Sequence, residues 1–325
     1  PAGHPTNSSL RAGLEAAPLV VDGVLYLVGM QNNVYAMDAA TGRRLWNYIY
    51  PWPEDKDIPG NKGVRGLAFG EGVVYMASQD DHIVALDAKT GKEIWNVVID
   101  DVFKCRCTIT SAPLYVKGKV ISGIAGGDAP FRGYIKAVDA KTGKLLWQFD
   151  TIPAPGEPGS ETWDGDSWKT GGVATWLQGS YDPQLNLVYW GTGNAFPDLV
   201  GEGRQGANLY AASLIALDAD TGKLRWYYQE TPHDVYDFDS NMEPVLFDVN
   251  QGGRTRKLVL HSSKNGYAYL LDREAGKYLS AFPFAATGNW TKGRGENGKP
   301  ISPLIPEEHK VDQLTCPGTA GARNF

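Results

Sequence analysis

One pattern recurs five times along the chain and constrains the fold more than any other feature. Each copy has a short apolar segment, an aspartate, a turn that ends in glycine, and a second segment that four copies close with tryptophan. The copies are VYAMDAATGRRLW (34–46), IVALDAKTGKEIW (83–95), IKAVDAKTGKLLW (135–147), LIALDADTGKLRW (214–226) and AYLLDREAGKYLS (268–280). A period near 50 residues with several strands predicts the blades of a β-propeller.

Each position of the repeat has a physical reason. The aspartate can accept hydrogen bonds from amides of the turn, and the glycine tolerates positive φ, so the flanking segments can pair as a hairpin. A tryptophan eight residues after the aspartate can bury its ring against the next repeat. The fifth copy has Ser280 at that position, which predicts an atypical blade. The aspartates are Asp38, Asp87, Asp139, Asp218 and Asp272, and the tryptophans are Trp46, Trp95, Trp147 and Trp226.

The intervals between repeats predict where loops interrupt the blades. The third and fourth aspartates, Asp139 and Asp218, are further apart than the others, and TIPAPGEPGSETWDGDSWKTGG (151–172) is too rich in proline and glycine for a regular strand. A loop of this kind beside a blade is a candidate functional loop. We therefore predict an all-β fold, with residues 1–325 forming a single β-propeller domain of four-stranded blades. At about 50–55 residues a blade, the length corresponds to roughly six blades, and we expect the propeller to be incomplete at its C-terminus.

Composition disfavours several classes of partner. The formal net charge is −6 without a basic run, which disfavours nucleic acid. No apolar run approaches the ~20 residues of a membrane-spanning helix, and the N-terminal PAGHPTNSSL lacks the apolar core of a signal peptide. Three cysteines are too few for a disulfide scaffold.

The repeat A-x-D-x-x-T-G-x-x-x-W resembles the tryptophan-docking motif of dehydrogenases that use pyrroloquinoline quinone (PQQ) to oxidise alcohols. Other stretches match this family in the same order along the chain. They are EAAPLVVDG (15–23), VRGLAF (64–69), TITSAPLYVKGKVISGIAGGDAPFRGY (108–134), GDSWKTGGVATW (165–176), YDPQLNLVYWGTGN (181–194), TPHDVYDFD (231–239), RKLVLHSSKNGYAYLLDREAG (256–276) and CPGTAGARNF (316–325). The chain is thus similar to roughly the first two-thirds of the family's eight-bladed propeller.

The resemblance implies a catalytic and metal-binding set. Asp237, in TPHDVYDFD, matches the catalytic base, and Lys264, in SSKNG, matches a basic residue that faces the quinone oxygens. Asp237, Asn194 and Asp128 match metal ligands, although Asp128 is one methylene shorter than the family's glutamate. Asp239 is an additional carboxylate that resembles the arrangement in lanthanide-using members.

The resemblance also implies the residues that hold the quinone. Trp176 matches the tryptophan on which the quinone ring lies flat. Further cofactor contacts are matched by Glu15, Arg65, Thr110, Gly126, Gly127, Lys264 and Asn324.

One departure from the family concerns cysteine. Many members have two adjacent cysteines that form a disulfide over one face of the quinone, where this chain has Pro59 and Gly60. Cys105 and Cys107 lie elsewhere in the chain and do not replace that pair.

The donor atoms of these residues favour a hard cation. Asp128, Asn194, Asp237 and Asp239 offer only oxygen ligands, which suit Ca²⁺ or a lanthanide, and the five histidines lack the spacing of a zinc site. The non-functional interpretation of the acidic segment TPHDVYDFD (231–239) is a solvated loop whose aspartates cap turns. For Asp234 and His233 we expect such a turn-supporting role.

The resemblance implies PQQ-dependent oxidation of a primary alcohol to an aldehyde. Asp237 would take the hydroxyl proton, and a hydride would pass to C5 of a quinone that the cation polarises. A cytochrome c would accept the electrons, and the family's compartment is the periplasm. The chain contains no CxxCH haem motif, so we expect the acceptor to be external or in further sequence. Two alternatives remain: a non-catalytic propeller scaffold of the outer-membrane assembly type, and a quinoprotein that oxidises sugars or polyols.

Overall fold

The regular structure of the chain is almost entirely antiparallel β-sheet. The computed structural model describes residues 15–53, 58, 64–305 and 314–323. Within them, twenty strands form five four-stranded sheets, and in each sheet consecutive strands pair as a meander. This agrees with the predicted all-β fold and its four-stranded blades.

The strand bounds of the five sheets follow the order of the chain. The first sheet contains β1 (Leu19–Val21), β2 (Val24–Val28), β3 (Val34–Asp38) and β4 (Arg44–Tyr48). The second contains β5 (Leu67–Gly70), β6 (Val73–Ala77), β7 (His82–Asp87) and β8 (Glu93–Val98). The third contains β9 (Leu114–Val116), β10 (Lys119–Ser122), β11 (Tyr134–Asp139) and β12 (Leu145–Asp150). The fourth contains β13 (Ser180–Asp182), β14 (Leu187–Gly191), β15 (Ser213–Asp218) and β16 (Leu224–Gln229). The fifth contains β17 (Val245–Gln251), β18 (Arg254–Ser262), β19 (Tyr267–Asp272) and β20 (Tyr278–Pro283).

Within residues 15–53, 58, 64–305 and 314–323, helical structure is confined to short turns. One α-helical turn, α1 (Val102–Cys105), follows β8, and 3-10 turns lie at Met30–Asn32, Ser160–Thr162 and Ser167–Lys169. Among the residues that the structure describes, no helix has the length and apolar character needed to cross a membrane.

The repeat forms the hairpin between the third and fourth strands of each sheet. In the first sheet, Asp38 Oδ1 accepts hydrogen bonds from the Thr41 amide at 2.8 Å and the Thr41 hydroxyl at 2.8 Å, and Gly42 has a φ of 71°. Asp87, Asp139 and Asp218 repeat these bonds, while Asp272, which has no threonine in its turn, accepts two backbone amides. The turn chemistry predicted from the repeat is therefore confirmed.

The repeat tryptophans join neighbouring sheets. Trp147 of the third sheet lies on Gly222 of the fourth, where an added Cβ would come within 2.5 Å of the indole ring. The Trp147 indole nitrogen donates to the Ala219 carbonyl at 3.3 Å. The other three junctions repeat this pair of contacts: Trp46 with Gly91 and Ala88, Trp95 with Gly143 and Ala140, and Trp226 with Gly276 and Arg273. Packing of each tryptophan on the next repeat was predicted, and the structure confirms it.

The hydrophobic core lies in layers between the sheets. Separate clusters of buried side chains join the first sheet to the second, the second to the third, the third to the fourth and the fourth to the fifth. Val74 and Leu86 in one layer and Ile215 and Leu217 in another are fully buried. Burial of each such aliphatic side chain stabilises the fold by about 1.5–3 kcal/mol. Because these side chains are buried between neighbouring sheets, contacts between sheets rather than within single sheets supply most of this stabilisation.

The chain length predicted about six blades, whereas the described residues form five sheets. The difference arises because long loops add residues to the chain without adding strands, and the estimate from the repeat period ignored them. Residues 151–179 contain no strand and fold around Trp163, which is 6% exposed. The described residues after Pro283 likewise form turns and one isolated bridge between Arg294 and Pro300.

Candidate active site

The candidate site is built from connections between strands of three sheets. Asp128 lies between β10 and β11, and Asn194 between β14 and β15. Asp237 and Asp239 lie in the connection from β16 to β17, which joins the fourth and fifth sheets, and Lys264 lies in the turn between β18 and β19. These residues are far apart in sequence, yet their contacts bring them into one cluster.

Lys264 bridges the two aspartates of the acidic segment. Its Nζ lies 2.7 Å from Asp239 Oδ2 and 3.4 Å from Asp237 Oδ2, and its side chain is 7% exposed. Burial by itself lowers the pKa of Lys264, but the charges of Asp239 and Asp237 outweigh burial and raise it overall. The site therefore contains a fixed ammonium group between two carboxylates.

Asp239 ties the acidic segment to the fourth sheet. Its Oδ1 accepts the Asn194 backbone amide at 2.9 Å, and its backbone carbonyl accepts the Lys264 amide at 3.0 Å. A Cβ at Gly193 would lie 2.6 Å from Asp239 Oδ1, so only glycine allows this approach. The GTGN sequence thus brings the Asn194 backbone against the carboxylate.

Asp237 is held in an unusual backbone conformation beside Lys264. Its φ of 62° falls in the left-handed region, which costs a non-glycine residue energy and is concentrated at functional sites. Its side chain is 21% exposed. Burial, followed by the charge of Asp239, raises the pKa of the Asp237 carboxyl above its usual range, while Lys264 opposes the rise. A reachable, crowded carboxyl next to an ammonium group is suited to proton transfer.

Asp128 adds a further carboxylate at the rim of the cluster. Its side chain is exposed, yet partial desolvation, and then the charge of Asp239, raise its pKa. Lys264 and a hydrogen bond with Asn194 act in the opposite direction. Three carboxylates and one ammonium leave an excess of negative charge that a cation would offset.

Sequence reasoning missed Asp198. Its Oδ1 accepts a hydrogen bond from Asn194 Nδ2 at 2.9 Å, which fixes the amide nitrogen of Asn194 on that side. Asn194 Oδ1 faces Gly127 instead, since a Cβ at Gly127 would lie 2.8 Å from that oxygen. Partial burial, followed by the charges of Asp128 and Asp239, raises the pKa of Asp198 to about 6. The sequence feature that could have identified Asp198 is its position four residues after Asn194, in a loop that contains proline.

A second group of residues surrounds Trp176. The Arg65 guanidinium lies 5.0 Å from the centroid of the Trp176 ring and forms an ion pair with Glu15 at 2.8 Å. The Thr110 hydroxyl donates to the Trp176 carbonyl at 3.1 Å, and the Arg65 amide donates to the Thr110 carbonyl at 3.0 Å. Four residues from different parts of the chain thus form an aromatic platform with one cation and one hydroxyl.

The carboxylate cluster around Lys264 and the group of residues around Trp176 share a wall. A Cβ at Gly127 would lie 3.3 Å from the side chain of Ala174, and the Ala174 carbonyl accepts the Gly193 amide at 2.7 Å. Gly126 packs against Cys107, which belongs to the same apolar cluster as Ala174. The segment that carries Trp176 therefore lies beside the carboxylate cluster.

The remaining sequence predictions have three different outcomes in the structure. Asn324, like Pro59 and Gly60, lies outside the described residues. Asp234 and His233 support the turn as expected: the Asp234 carboxylate accepts the Tyr236 and Phe238 amides at 3.1 and 2.9 Å, and His233 Nδ1 lies 2.8 Å from the Gly206 carbonyl oxygen. Cys105 and Cys107 form a disulfide, which the sequence did not predict.

A buried histidine fixes the two ends of the acidic segment. His261 Nδ1 lies 2.7 Å from Glu230 Oε1, and His261 Nε2 lies 2.8 Å from the Met242 carbonyl oxygen. All three side chains are fully buried. Because Glu230 precedes the segment and Met242 follows it, these bonds hold residues 231–241 against β18.

A comparison with protein families matches residues 2–303 to the model "Glucose/ethanol/alcohol dehydrogenase, beta-propeller domain", named PQQ. Among curated proteins, the chain is 39% identical to the quinoprotein alcohol dehydrogenase PedH of Pseudomonas putida, covering 96% of this chain and 56% of that protein. It is 41% identical to the quinohemoprotein alcohol dehydrogenase of Comamonas testosteroni, covering 96% of this chain and 46% of that protein. It is also 35% identical to the lanthanide-dependent methanol dehydrogenase of Methylorubrum extorquens, covering 96% and 57%.

Solved structures of quinohemoprotein alcohol dehydrogenase and methanol dehydrogenase are also similar to this chain. The crystal structure of the Comamonas testosteroni quinohemoprotein alcohol dehydrogenase superposes with a TM-score of 0.87 at 39% identity, covering 96% of this chain and 49% of that chain. A europium-containing methanol dehydrogenase superposes with a TM-score of 0.84 at 34% identity, covering 96% and 58%. The chain thus spans about half the length of these relatives.

Proposed function

Since the chain belongs to the PQQ-dependent alcohol dehydrogenase family, we propose that it oxidises a primary alcohol to an aldehyde with PQQ and a bound Ca²⁺ or lanthanide ion. The observation that carries this proposal is the convergence of Asp128, Asn194, Asp237 and Asp239 on Lys264. These residues come from distant parts of the chain, and a propeller scaffold without catalysis has no need to bring them together.

The residues present fit a hard cation. Asp128, Asn194, Asp237 and Asp239 supply only oxygen atoms, and their carboxylates exceed the single charge of Lys264. Asn194 turns its amide nitrogen to Asp198 and its oxygen toward Gly127, which leaves the oxygen as the available ligand atom. Such a set suits Ca²⁺ or a lanthanide rather than a soft metal.

The residues around Trp176 fit a flat, anionic ring system. The indole offers an aromatic face, Arg65 supplies positive charge beside it, and Thr110 supplies a hydroxyl. Gly126 and Gly127 allow close packing beside this group, because a Cβ at Gly126 would lie 3.2 Å from Cys107 Cα and one at Gly127 would lie 2.8 Å from Asn194 Oδ1. We propose that Glu15, Arg65, Thr110, Gly126, Gly127, Trp176, Lys264 and Asn324 hold PQQ.

In this proposal Asp237 is the general base that accepts the hydroxyl proton of the alcohol. When bound, PQQ supplies a two-electron acceptor and the cation supplies a Lewis acid. A bound cation close to the carboxylate would lower the pKa of Asp237 against the rise that burial and Asp239 cause, so the carboxyl would be ionised and ready to accept a proton. Lys264 provides a second, fixed positive charge that stabilises negative charge as it develops.

We further propose that residues 1–325 belong to one β-propeller domain, supported by the four equivalent tryptophan junctions between successive sheets. A cytochrome c as electron acceptor is supported by the name of one relative, the 1-butanol dehydrogenase (cytochrome c) of Thauera butanivorans. A periplasmic location follows from the resemblance to the family.

The test uses the full chain supplied with PQQ and either Ca²⁺ or La³⁺. Alcohol-dependent reduction of an artificial electron-accepting dye is measured for the wild type, for Asp237→Ala, and for Asp164→Ala as an exposed control outside the site. We expect Asp237→Ala to abolish dye reduction while the control and the far-UV circular dichroism remain unchanged. Wild-type turnover in Asp237→Ala would exclude Asp237 as the base, and a wild type that binds neither ion nor PQQ would favour the scaffold.

A further inference from the structure

The disulfide between Cys105 and Cys107 encloses a single residue, Arg106. On loop-entropy grounds, a bridge over so short a loop removes little freedom from the unfolded chain, so its stabilising effect is small. Stability alone therefore does not account for this bridge, and the reactivity of its two sulfur atoms is the property to consider.

The two cysteines differ in their access to solvent. Cys107 is fully buried in an apolar cluster with Ile109 and Ile124, whereas Cys105 is partly exposed. Cys105 also lines an open surface cavity of about 370 Å³. A small thiol that enters the cavity can therefore reach Cys105 but not Cys107.

Asp81 lies directly against both sulfur atoms. Its Oδ2 is 3.6 Å from the Sγ of Cys105 and 3.6 Å from the Sγ of Cys107, and the residue is fully buried. A disulfide sulfur has no hydrogen to donate, so these contacts do not satisfy the carboxyl group. Within the described residues, Asp81 Oδ1 has no hydrogen-bond partner. A backbone hydrogen bond from Ile109 favours the charged carboxylate, but a buried carboxyl that is only partly satisfied favours the protonated form.

The surroundings of Asp81 keep it protonated at neutral pH. Burial, followed by the negative charges of Asp100 and Asp80, raises the pKa of Asp81 to about 9, and Lys136 only partly offsets the rise. The phenol of Tyr134 also faces this group. Asp81 is therefore a proton donor in contact with the disulfide.

We propose that Cys105 and Cys107 form a reversible dithiol–disulfide couple that exchanges with external thiols through Cys105, with Asp81 as the acid that protonates Cys107. A thiolate attacks Cys105 Sγ, the sulfur–sulfur bond breaks, and Cys107 leaves with the electron pair and takes the Asp81 proton. A second thiolate then attacks the external sulfur of the mixed disulfide and releases Cys105. The two external thiols become one disulfide and lose two protons. One of these protons goes to the Cys105 thiolate and the other restores Asp81, so the protein disulfide is reduced to two thiols.

Reduction affects the wall of the candidate active site. A Cβ at Gly126 would lie 3.2 Å from the Cys107 Cα, and Thr108 pairs with Ala125 through two backbone hydrogen bonds of 3.1 and 2.7 Å. The disulfide therefore supports the segment that carries Thr110 and Gly126. This consequence for the cofactor wall rests on the proposed function, whereas the exchange reaction does not.

The first experiment locates the reactive sulfur in the full chain with Cys316 replaced by serine. Cys107→Ser and Cys105→Ser each leave one thiol, and both variants are incubated, folded, with oxidised glutathione. We expect a mixed disulfide, seen by intact mass, at Cys105 in Cys107→Ser and none at Cys107 in Cys105→Ser. Equal modification of the two variants, or none in either, would overturn the proposal.

The second experiment tests the acid with the disulfide intact. Reduced glutathione is added to the folded protein, and newly formed thiols are counted by alkylation and mass. We expect two new thiols in the wild type, about 10-fold or more slower formation in Asp81→Asn, and the wild-type rate in Asp164→Asn, which makes the same change at an exposed aspartate outside this region. Asp81→Asn exchanging at the wild-type rate would remove Asp81 from the reaction, and thiols that appear only on global unfolding would refute the couple itself.

Discussion

Replacing Gly222 by alanine tests whether the turn glycine of the repeat is the surface on which the preceding tryptophan docks. An added Cβ at Gly222 would come within 2.5 Å of the Trp147 ring, and the φ of 68° is unfavourable for alanine. Gly118 is the matched control, because its φ is 76° but a Cβ there meets nothing within 4 Å. Both variants pay the backbone cost, and only Gly222→Ala disturbs the junction.

The expected magnitudes follow from this comparison. A left-handed alanine costs about 1–2 kcal/mol, and the loss of freedom in the unfolded chain returns about 0.4–1 kcal/mol, so Gly118→Ala should cost about 1 kcal/mol. Gly222→Ala adds about 1–3 kcal/mol for overpacking against the ring. Displacing the ring also loses the hydrogen bond from Trp147 to the Ala219 carbonyl, worth about 0.5–1.5 kcal/mol. We therefore expect Gly222→Ala to cost about 3–5 kcal/mol.

The measurement is urea unfolding, in which an unchanged slope shows that only stability has changed. A double-variant cycle with Trp147→Ala isolates the contact: without the ring, Gly222→Ala should cost no more than Gly118→Ala. If Gly222→Ala and Gly118→Ala differ by less than about 0.5 kcal/mol in the wild-type background, the docking argument is refuted.

Three further predictions concern buried charges. Arg273→Met should lower the free energy of unfolding by about 3–5 kcal/mol in urea, because it leaves the buried carboxylate of Asp182, now 2.6 Å from the Arg273 Nε, without its partner; an unchanged urea midpoint would contradict this. Burial raises the pKa of Asp234 to about 7, so the folded chain retains a proton that the unfolded chain releases above about pH 4. Stability of the metal-free chain should then fall between about pH 4 and pH 7, by at most about 1.4 kcal/mol per unit from this group, and Asp234→Asn should flatten that part of the profile. Asp239→Asn should weaken La³⁺ binding more than Ca²⁺ binding in calorimetric titrations, because a carboxylate attracts a trivalent ion more strongly, and unchanged affinities for both ions would exclude Asp239 as a ligand.

The parts of the fold that the sequence predicted are local. The Asp38 turn, the left-handed Gly42 and the docking of Trp46 each depend on residues within one repeat and on the identical surface of the next. The number of sheets was less predictable, because the period does not show that residues 151–179 form a loop around Trp163.

The candidate site required more than local pattern. Asp128, Asn194 and Asp237 were identified by resemblance, and only the packed chain shows that they meet around Lys264. Asp198 escaped notice because its partner is fixed by how its loop folds back on Asn194. Asp81 escaped it for a similar reason, since neither its burial nor its contact with two sulfur atoms is encoded near it in sequence.

The tryptophan junction has a direction. The first four sheets each present an indole on one side, and the second to fifth sheets each present, on the other side, a turn glycine and a carbonyl group that receive the indole of the preceding sheet. Such a head-to-tail contact is heterologous: the contact itself sets no number of units, and the rotation between neighbours decides whether a series closes into a ring or continues as a helix. Ser280 interrupts this polarity, because the fifth sheet receives Trp226 but has no indole to offer in return. Among the five described sheets, the face of the fifth that carries Ser280 is therefore the position where the pairing rule changes, and contacts on that face form without an indole.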